Sequence, residues 1–419
     1  MTTRAIFGCA LLAAALARGQ LLTPPWIELG DQGRAIARVI VASETCPAIV
    51  VDGGGQPMSL RRPVPAGFRP LCEFALPPGA RAASIDGQSL HLPAPDPASV
   101  VVIGDTGCRI KGARVQDCND MSKWPLQSVA NGAARVDPQL VIHVGDYLYR
   151  ESVCPPDSQD KCGGTPVGDT WDAWNADFFA PAAKLLAAAP WAFSRGNHED
   201  CERAWRGWFY YLDPRPWKNA CAVYTPAYVI RLGARQLVML DSSAASEDDL
   251  DERQVAEFTS ELRSVHTEHA WLVDHHPFWG VKPGDRGKSV RPLSAPLEEA
   301  WKRANVSGAL AGIDLILSGH IHLFAVIPFG PGRPMQIVSG DGGTALSEPI
   351  PASVDGTVIQ GTAVLGSQTR IDFGYTWLRR SPMQSNGGWD LSLQSTTGSA
   401  IVQCALRDGR AACRSGGGH

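Results

Sequence analysis

The 419-residue sequence predicts an α/β fold, two facing sheets flanked by helices, preceded by a small all-β domain. Three observations carry this expectation. After Ser99, short apolar runs recur at Val100 to Ile103, Leu140 to Val144, Leu237 to Leu240, Trp271 to Val273, Asp314 to Leu317 and Gln336 to Val338. Helical patterns lie between them, at Asp172 to Ala189 and Asp251 to Ser264. Before Ser99, apolar segments such as AIARVIVAS are short, broken by Gly and Pro, and show no helical period. Buried strands alternating with helices are the pattern of an α/β domain, and Gly/Pro-punctuated short strands that of a β module.

In chain order, residues 1–19 have the build of a signal peptide. Arg4 precedes the apolar stretch Ala5 to Ala17, which ends in the small-x-small pattern Ala15-Leu16-Ala17, and removal is expected after Ala17 or Gly19. The alternative is a buried N-terminal helix. Cys9 would leave with that segment, and the ten remaining cysteines fall as neighbours: Cys46 and Cys72, Cys108 and Cys118, Cys154 and Cys162, Cys201 and Cys221, Cys404 and Cys413. The simplest pairing is five local disulfides, which implies an oxidising compartment, periplasmic or secreted. Residues 20–94 are expected as the small β domain, with Pro93 to Pro97 as linker, and 95–419 as the main domain with a β-rich C-terminal end. That end carries RIDFGYTWLRR, WDLSLQS and AIVQCALRD, with a hairpin signal at Asp408-Gly409. A formal charge of −4 argues against a nucleic-acid partner held by a broad basic surface. No run of 18 apolar residues is present, so no membrane span is expected.

Five short polar motifs follow the apolar runs. They are Gly104 to Gly107 (GDTG), Gly145 to Tyr149 (GDYLY), Gly196 to Glu199 (GNHE), Leu272 to Pro277 (LVDHHP) and Gly319 to His322 (GHIH). In α/β sheets ligands gather beyond the carboxyl ends of strands, which is where these motifs are expected. Carboxylates, a phenol, an amide and imidazoles make a ligand set for two metal ions side by side, the arrangement that phosphate-ester hydrolysis favours. Other residues have plainer readings. His143 is expected as a packed imidazole, Asp241 and Ser242 as a turn, and Trp171, Trp174, Phe178 and Phe179 as core. Gly340 to Gly343 lacks the Gly-Lys-Ser/Thr that would complete a phosphate loop. Arg195 is a candidate support behind the ligands, and Asn305-Val306-Ser307 fits a glycosylation acceptor.

The motifs, in this order over about Val100 to Gly343, resemble the calcineurin-like metallophosphoesterase superfamily, and within it the purple acid phosphatases. The opening motif is Asp-x-Gly, with Gly107 where many members place His, and Tyr149 supplies the phenol that accompanies that exchange. The resemblance implies a four-layer α-β-β-α sandwich. It implies that Asp105, Asp146, Tyr149 and His322 hold a first metal, Fe(III), and that Asp146, Asn197, His275 and His320 hold a second, Fe(II), Zn or Mn. His275 is preferred to His276 because the family's ligand precedes its proline by two positions. His198 is expected to face the substrate or to serve as a hydrogen bonder behind the metals, and His276 to contact substrate or simply to pack. Lys282, Asp285 and Arg286 are weaker candidates for the leaving group or phosphate. The implied function is an exported phosphatase that hydrolyses small phosphate monoesters by attack of a metal-bound hydroxide. Rivals are a phosphodiesterase or nucleotidase on the same scaffold, and a non-enzymatic envelope or binding protein.

Overall fold

The structure is a computed structural model that describes residues 20–265, 268–284, 289–381 and 388–416. The expected signal segment, Asp285 and Arg286 lie outside these residues.

Strands with alternating apolar side chains can bury both faces when a second sheet covers one and helices the other. That is what the runs after Ser99 do. Ser99–Ile103, Leu140–His143 and Trp191–Phe193 lie parallel in the middle of an 11-stranded sheet. Arg235–Met239, Ala270–Val273, Ile313–Ser318 and Met335–Ser339 lie parallel in a 7-stranded one. Val100 and Val102, with Ile142, face Leu237, Met239, Val273 and Leu317 in a core shared by the two sheets. Val101, Ile103 and Val141 turn outward to helix Leu126–Arg135 and an aromatic cluster around Trp174 and Phe178. On the other side Val238, Leu272 and Ile316 pack against helices Glu252–Ser264 and Ala295–Ala304. Helix, sheet, sheet and helix form the expected four layers. The helix expected from Asp251 has Asp251 as its N-cap, whose carboxylate accepts the Arg253 N–H.

The helix expected over Asp172 to Ala189 is broken. It runs as Trp171–Trp174, a π-turn Asn175–Phe179, and Ala183–Leu186 after Pro181. Proline removes an N–H donor, and the wide turn carries the buried carboxylate of Asp177 toward the metal-motif loops.

Within 20–94, strands Trp26–Leu29, Ala35–Ile40, Ser59–Leu60 and Leu71–Ala75 extend the large sheet beyond Trp191–Phe193, while Ala48–Val51, Gly54–Pro57, Ala83–Ile85 and Gln88–Ser89 form a separate four-stranded sheet. The C-terminal strands Gly374–Arg380, Trp389–Ser395, Ala400–Arg407 and Arg410–Ser415 complete the opposite flank. Asp408 and Gly409, with φ of 45° and 71°, make the two-residue turn between the last two. All five cysteine pairs expected from the sequence are disulfides. Among the described residues no helix is long and apolar enough to cross a membrane.

Candidate metal centre

The five motifs meet at the carboxyl ends of the parallel strands. Asp105, Asp146 and Asn197 hang from the large sheet, and His275, His320 and His322 from the smaller one. Asp105, Asp146 and His320 all sit in the left-handed region, with φ of 54°, 63° and 68°. Non-glycine residues held there store strain, and such strain gathers at functional sites. Two glycines allow the close approach. A Cβ on Gly196 would fall 2.1 Å from Asp146 Oδ1, and one on Gly319 would fall 2.4 Å from Asp105 Oδ2.

Two donor groups result, joined by one carboxylate. In the first, the Tyr149 hydroxyl lies 2.7 Å from Asp146 Oδ2, 3.0 Å from Asp105 Oδ1 and 3.1 Å from His322 Nε2. In the second, Asn197 Oδ1 lies 3.0 Å from both His275 Nε2 and His320 Nδ1. Asp146 Oδ2 reaches into this group as well, 3.3 Å from His275 Nε2. The other carboxylate oxygens are already used: Asp105 Oδ2 accepts the His320 N–H and Asp146 Oδ1 the His198 N–H.

Each histidine is also fixed from behind. His275 Nδ1 lies 2.8 Å from the Val144 carbonyl, His322 Nδ1 2.8 Å from the Ala345 carbonyl, and His320 Nε2 2.9 Å from Glu247 Oε1. Anchoring one ring nitrogen leaves the other free to ligate, the usual arrangement behind metal-bound imidazole. The electrostatics call for cations too. Burial, then the Asp105 and Asp146 charges, push the Tyr149 phenol well above its usual pKa. Burial opposes charge on His275 most strongly, yet the Asp146 carboxylate and its neighbours raise it to about 10. Oxygen and imidazole donors without a thiolate suit Fe, Zn or Mn, so the residues present fit a metal pair.

His198 and His276 flank the two groups. The His198 ring lies 3.8 Å from the Tyr149 ring, tilted by 34°, with Nδ1 2.5 Å from Glu151 Oε1. The His276 ring lies 4.0 Å from that of His320, its backbone N–H donates to Ser242 Oγ, and its Nδ1 is buried without a hydrogen-bond partner. Burial, then the neighbouring His320 and His275, hold His276 well below the usual histidine pKa. Lys282 pairs with Glu247 on the wall of a cavity of about 510 Å³ that reaches His320 and His322. A larger cleft of about 980 Å³, around Arg235, Trp271 and Trp301, opens at the amino ends of the strands, away from these residues.

The residues with plainer readings have defined places. His143 is buried, stacked on Tyr147 and bonded to Thr106. Ser242 Oγ accepts the N–H groups of His275 and His276, so the turn at Asp241-Ser242 supports the histidine loop. Arg195 bonds the Glu199 carbonyl and the Asp241 carboxylate.

Three contributors had no role in the sequence reading. Glu199 accepts N–H bonds from Tyr147 and Leu148 on one oxygen and from Asp146 and Gly196 on the other. Asp177 does the same for Cys108, Tyr149 and Arg150. Arg109 places its guanidinium 5.3 Å from the Tyr149 ring centre. The last residue of GNHE signalled the first of these; nothing in the sequence marked the other two.

The profile of calcineurin-like phosphoesterase domains matches residues 98–324. No curated protein matches the sequence significantly. Among solved structures, the purple acid phosphatase PPD1 from yellow lupin (Lupinus luteus) seeds superposes with a TM-score of 0.54 at 14% identity, covering 94% of this chain and 75% of that one. PhoD superposes with a TM-score of 0.53 at 11% identity, covering 95% of this chain and 93% of that one. At these identities the likeness is one of fold.

Proposed function

The chain belongs to the calcineurin-like phosphoesterase family, and from that membership we propose that it is a dinuclear-metal phosphatase acting on small phosphate monoesters. One observation carries the two-metal reading: a single oxygen, Asp146 Oδ2, lies 2.7 Å from the Tyr149 hydroxyl and 3.3 Å from His275 Nε2, so one carboxylate serves both donor groups. Asp105, Asp146, Tyr149 and His322 would hold Fe(III), for which a phenolate is an apt ligand. Asp146, Asn197, His275 and His320 would hold Fe(II), Zn or Mn. When bound, such a pair neutralises phosphate charge and makes water nucleophilic at mild pH.

The protein's own groups do the remaining work. His198, paired with Glu151 and packed against Tyr149, has its Nε2 3.9 Å from the shared Asp146 Oδ2 and is positioned to bond the ester oxygens. His276, with an unpartnered buried Nδ1 next to His320, is the second imidazole available to substrate. Five disulfides agree with export to a periplasmic or extracellular compartment.

The test is metal analysis of the purified full chain, followed by turnover of p-nitrophenyl phosphate and its bis-ester from about pH 4 to 8. Two metals per chain and faster monoester turnover on the acid side are expected. Faster diester turnover would replace the monoesterase reading with a phosphodiesterase on the same ligands. A fully metallated protein inert to both would reject the enzyme.

A further inference from the structure

The hairpin that follows Asp105 brings two unneutralised arginines to the site. Its strands, Ile110–Lys111 and Arg114–Val115, lie inside the loop closed by Cys108–Cys118. It is tied to the metal motifs rather than hanging free. The Ile110 N–H donates to the Tyr149 carbonyl and the Glu151 N–H to the Ile110 carbonyl. Gln116 accepts the N–H groups of Arg109 and Ala345 on its side-chain oxygen and donates to the carbonyls of Lys123 and Gly343. Ala345 is the residue whose carbonyl fixes His322, so Arg109 and His322 are referenced to one another through a single side chain.

Arg109 Nη2 lies 3.3 Å from both ring nitrogens of His322. Neither can remain its acceptor in a working site. Nδ1 gives its proton to Ala345, and Nε2 faces Tyr149 and Asp105, leaving no lone pair for the guanidinium. Among the described residues Arg109 forms no ion pair. It lines the cavity that reaches His320 and His322, so a partly buried fork of N–H donors borders that cavity beside two candidate ligands. Arg114 lines the same cavity, is exposed, and forms no ion pair among the described residues either. The third cation on this wall, Lys282, is already matched by Glu247 and Asp248. Glu348, exposed on the same wall, is the one lining carboxylate among the described residues without such a match.

Resting on the phosphoesterase reading above, we infer that this hairpin is an anion-recognition element. Arg109 receives the non-bridging oxygens of the phosphoryl group to be hydrolysed. Arg114 receives a second phosphate on the same molecule, so the preferred substrates carry two phosphate groups. Planar guanidinium donors match phosphate oxygens in pairs, and a cavity of about 510 Å³ has room for both groups.

The experiment compares AMP, cleaved at an ester with adenosine leaving, with ADP, cleaved at an anhydride with AMP leaving, using the metal-loaded full chain; the change of their ratio between variants isolates the contact to the second phosphate. The wild-type protein is expected to favour ADP. Arg114→Ala should lower the ADP-to-AMP ratio of kcat/KM about tenfold, the size of one lost charged hydrogen bond. Arg109→Ala should lower kcat/KM for both nucleotides about tenfold or more at an unchanged ratio. Arg109→Gln is made beside it, with near-UV circular dichroism to establish that the hairpin keeps its fold. An unchanged ratio in Arg114→Ala, or full activity in a folded Arg109 variant, overturns the inference. The proposed function stands or falls on p-nitrophenyl phosphate; if the wild-type protein turns that over but hydrolyses neither nucleotide, the hairpin is judged by calorimetric titration instead. Pyrophosphate binding more tightly than inorganic phosphate, with the margin lost in Arg114→Ala, upholds it; no margin overturns it.

Discussion

Replacing Asp177 by Asn is the sharpest test of how the loops around the metal motifs are held. The substitution keeps side-chain volume and removes one charge. Asp177 Oδ1 accepts from the Cys108 N–H at 3.0 Å and Arg150 Nε at 2.5 Å, and Oδ2 from the N–H groups of Tyr149 at 2.8 Å and Arg150 at 3.2 Å. An asparagine amide has one oxygen, so in either orientation its NH2 faces two donors. Each buried donor left without an acceptor costs about 1–3 kcal/mol. Arg150, with a side chain only 5% exposed, also loses its charge partner. Breaking a buried pair from one side costs about 3–5 kcal/mol, which is the expected total because the terms overlap. Urea unfolding of the oxidised protein, followed by tryptophan fluorescence, reads this as a lower midpoint at constant slope. Asp172→Asn, exposed on the same segment, is the control and should stay within about 0.5 kcal/mol. Burial pushes the Asp177 carboxyl upward in pKa, with Arg150 opposing. A loss below about 1 kcal/mol would therefore mean that the carboxyl is neutral in the fold and that Asp177 does not hold these loops by its charge.

Glu247 anchors His320 at 2.9 Å, so Glu247→Gln should weaken metal binding about 10–100-fold in a chelator competition. Equal affinity would remove the orienting role. Burial raises the Glu151 pKa, but His198, Arg203 and Lys111 together outweigh it and lower it from 4.5 to about 2, with His198 the largest of the three. A depressed carboxylate pKa contributes stability that is in place above the unfolded value and is lost as the pH falls through the folded one. In metal-free protein, Glu151→Gln should therefore flatten the fall in stability between pH 4.5 and about 2, and an unchanged slope would refute the pairing.

Much of this molecule could be read along the chain because its signals are local. The strand at Val100 to Ile103 is announced by its own residues, and the glycine after each strand by the sharp turn it permits. Cysteine pairing was legible because every disulfide joins sequence neighbours. What stayed hidden depends on distance. Trp26–Leu29 pairs with Trp191–Phe193, and Gly374–Arg380 with Ser99–Ile103, and no local pattern states either partner. Asp177 looks like any acidic residue on a helical stretch. It sits within a π-turn, where its carboxylate meets the Tyr149 N–H, and no local pattern states that contact. Arg109 stands two residues beyond the first motif, yet its place over the Tyr149 ring needs the hairpin, the disulfide and Gln116 together.

The origin of the candidate ligands in two different sheets has an evolutionary corollary. The gap between the carboxylates of one sheet and the imidazoles of the other is set by the apolar side chains between them, Val102, Ile142, Leu317 and Ile337 among others. Those residues answer to two selective demands at once. A substitution there that thins or thickens the interior by a methylene changes the spacing of the donors as well as the free energy of folding. Drift in this layer is thus constrained by chemistry carried out at its far edge, a demand that reaches the outer helical layer at Asp177 through its bond to the Tyr149 N–H.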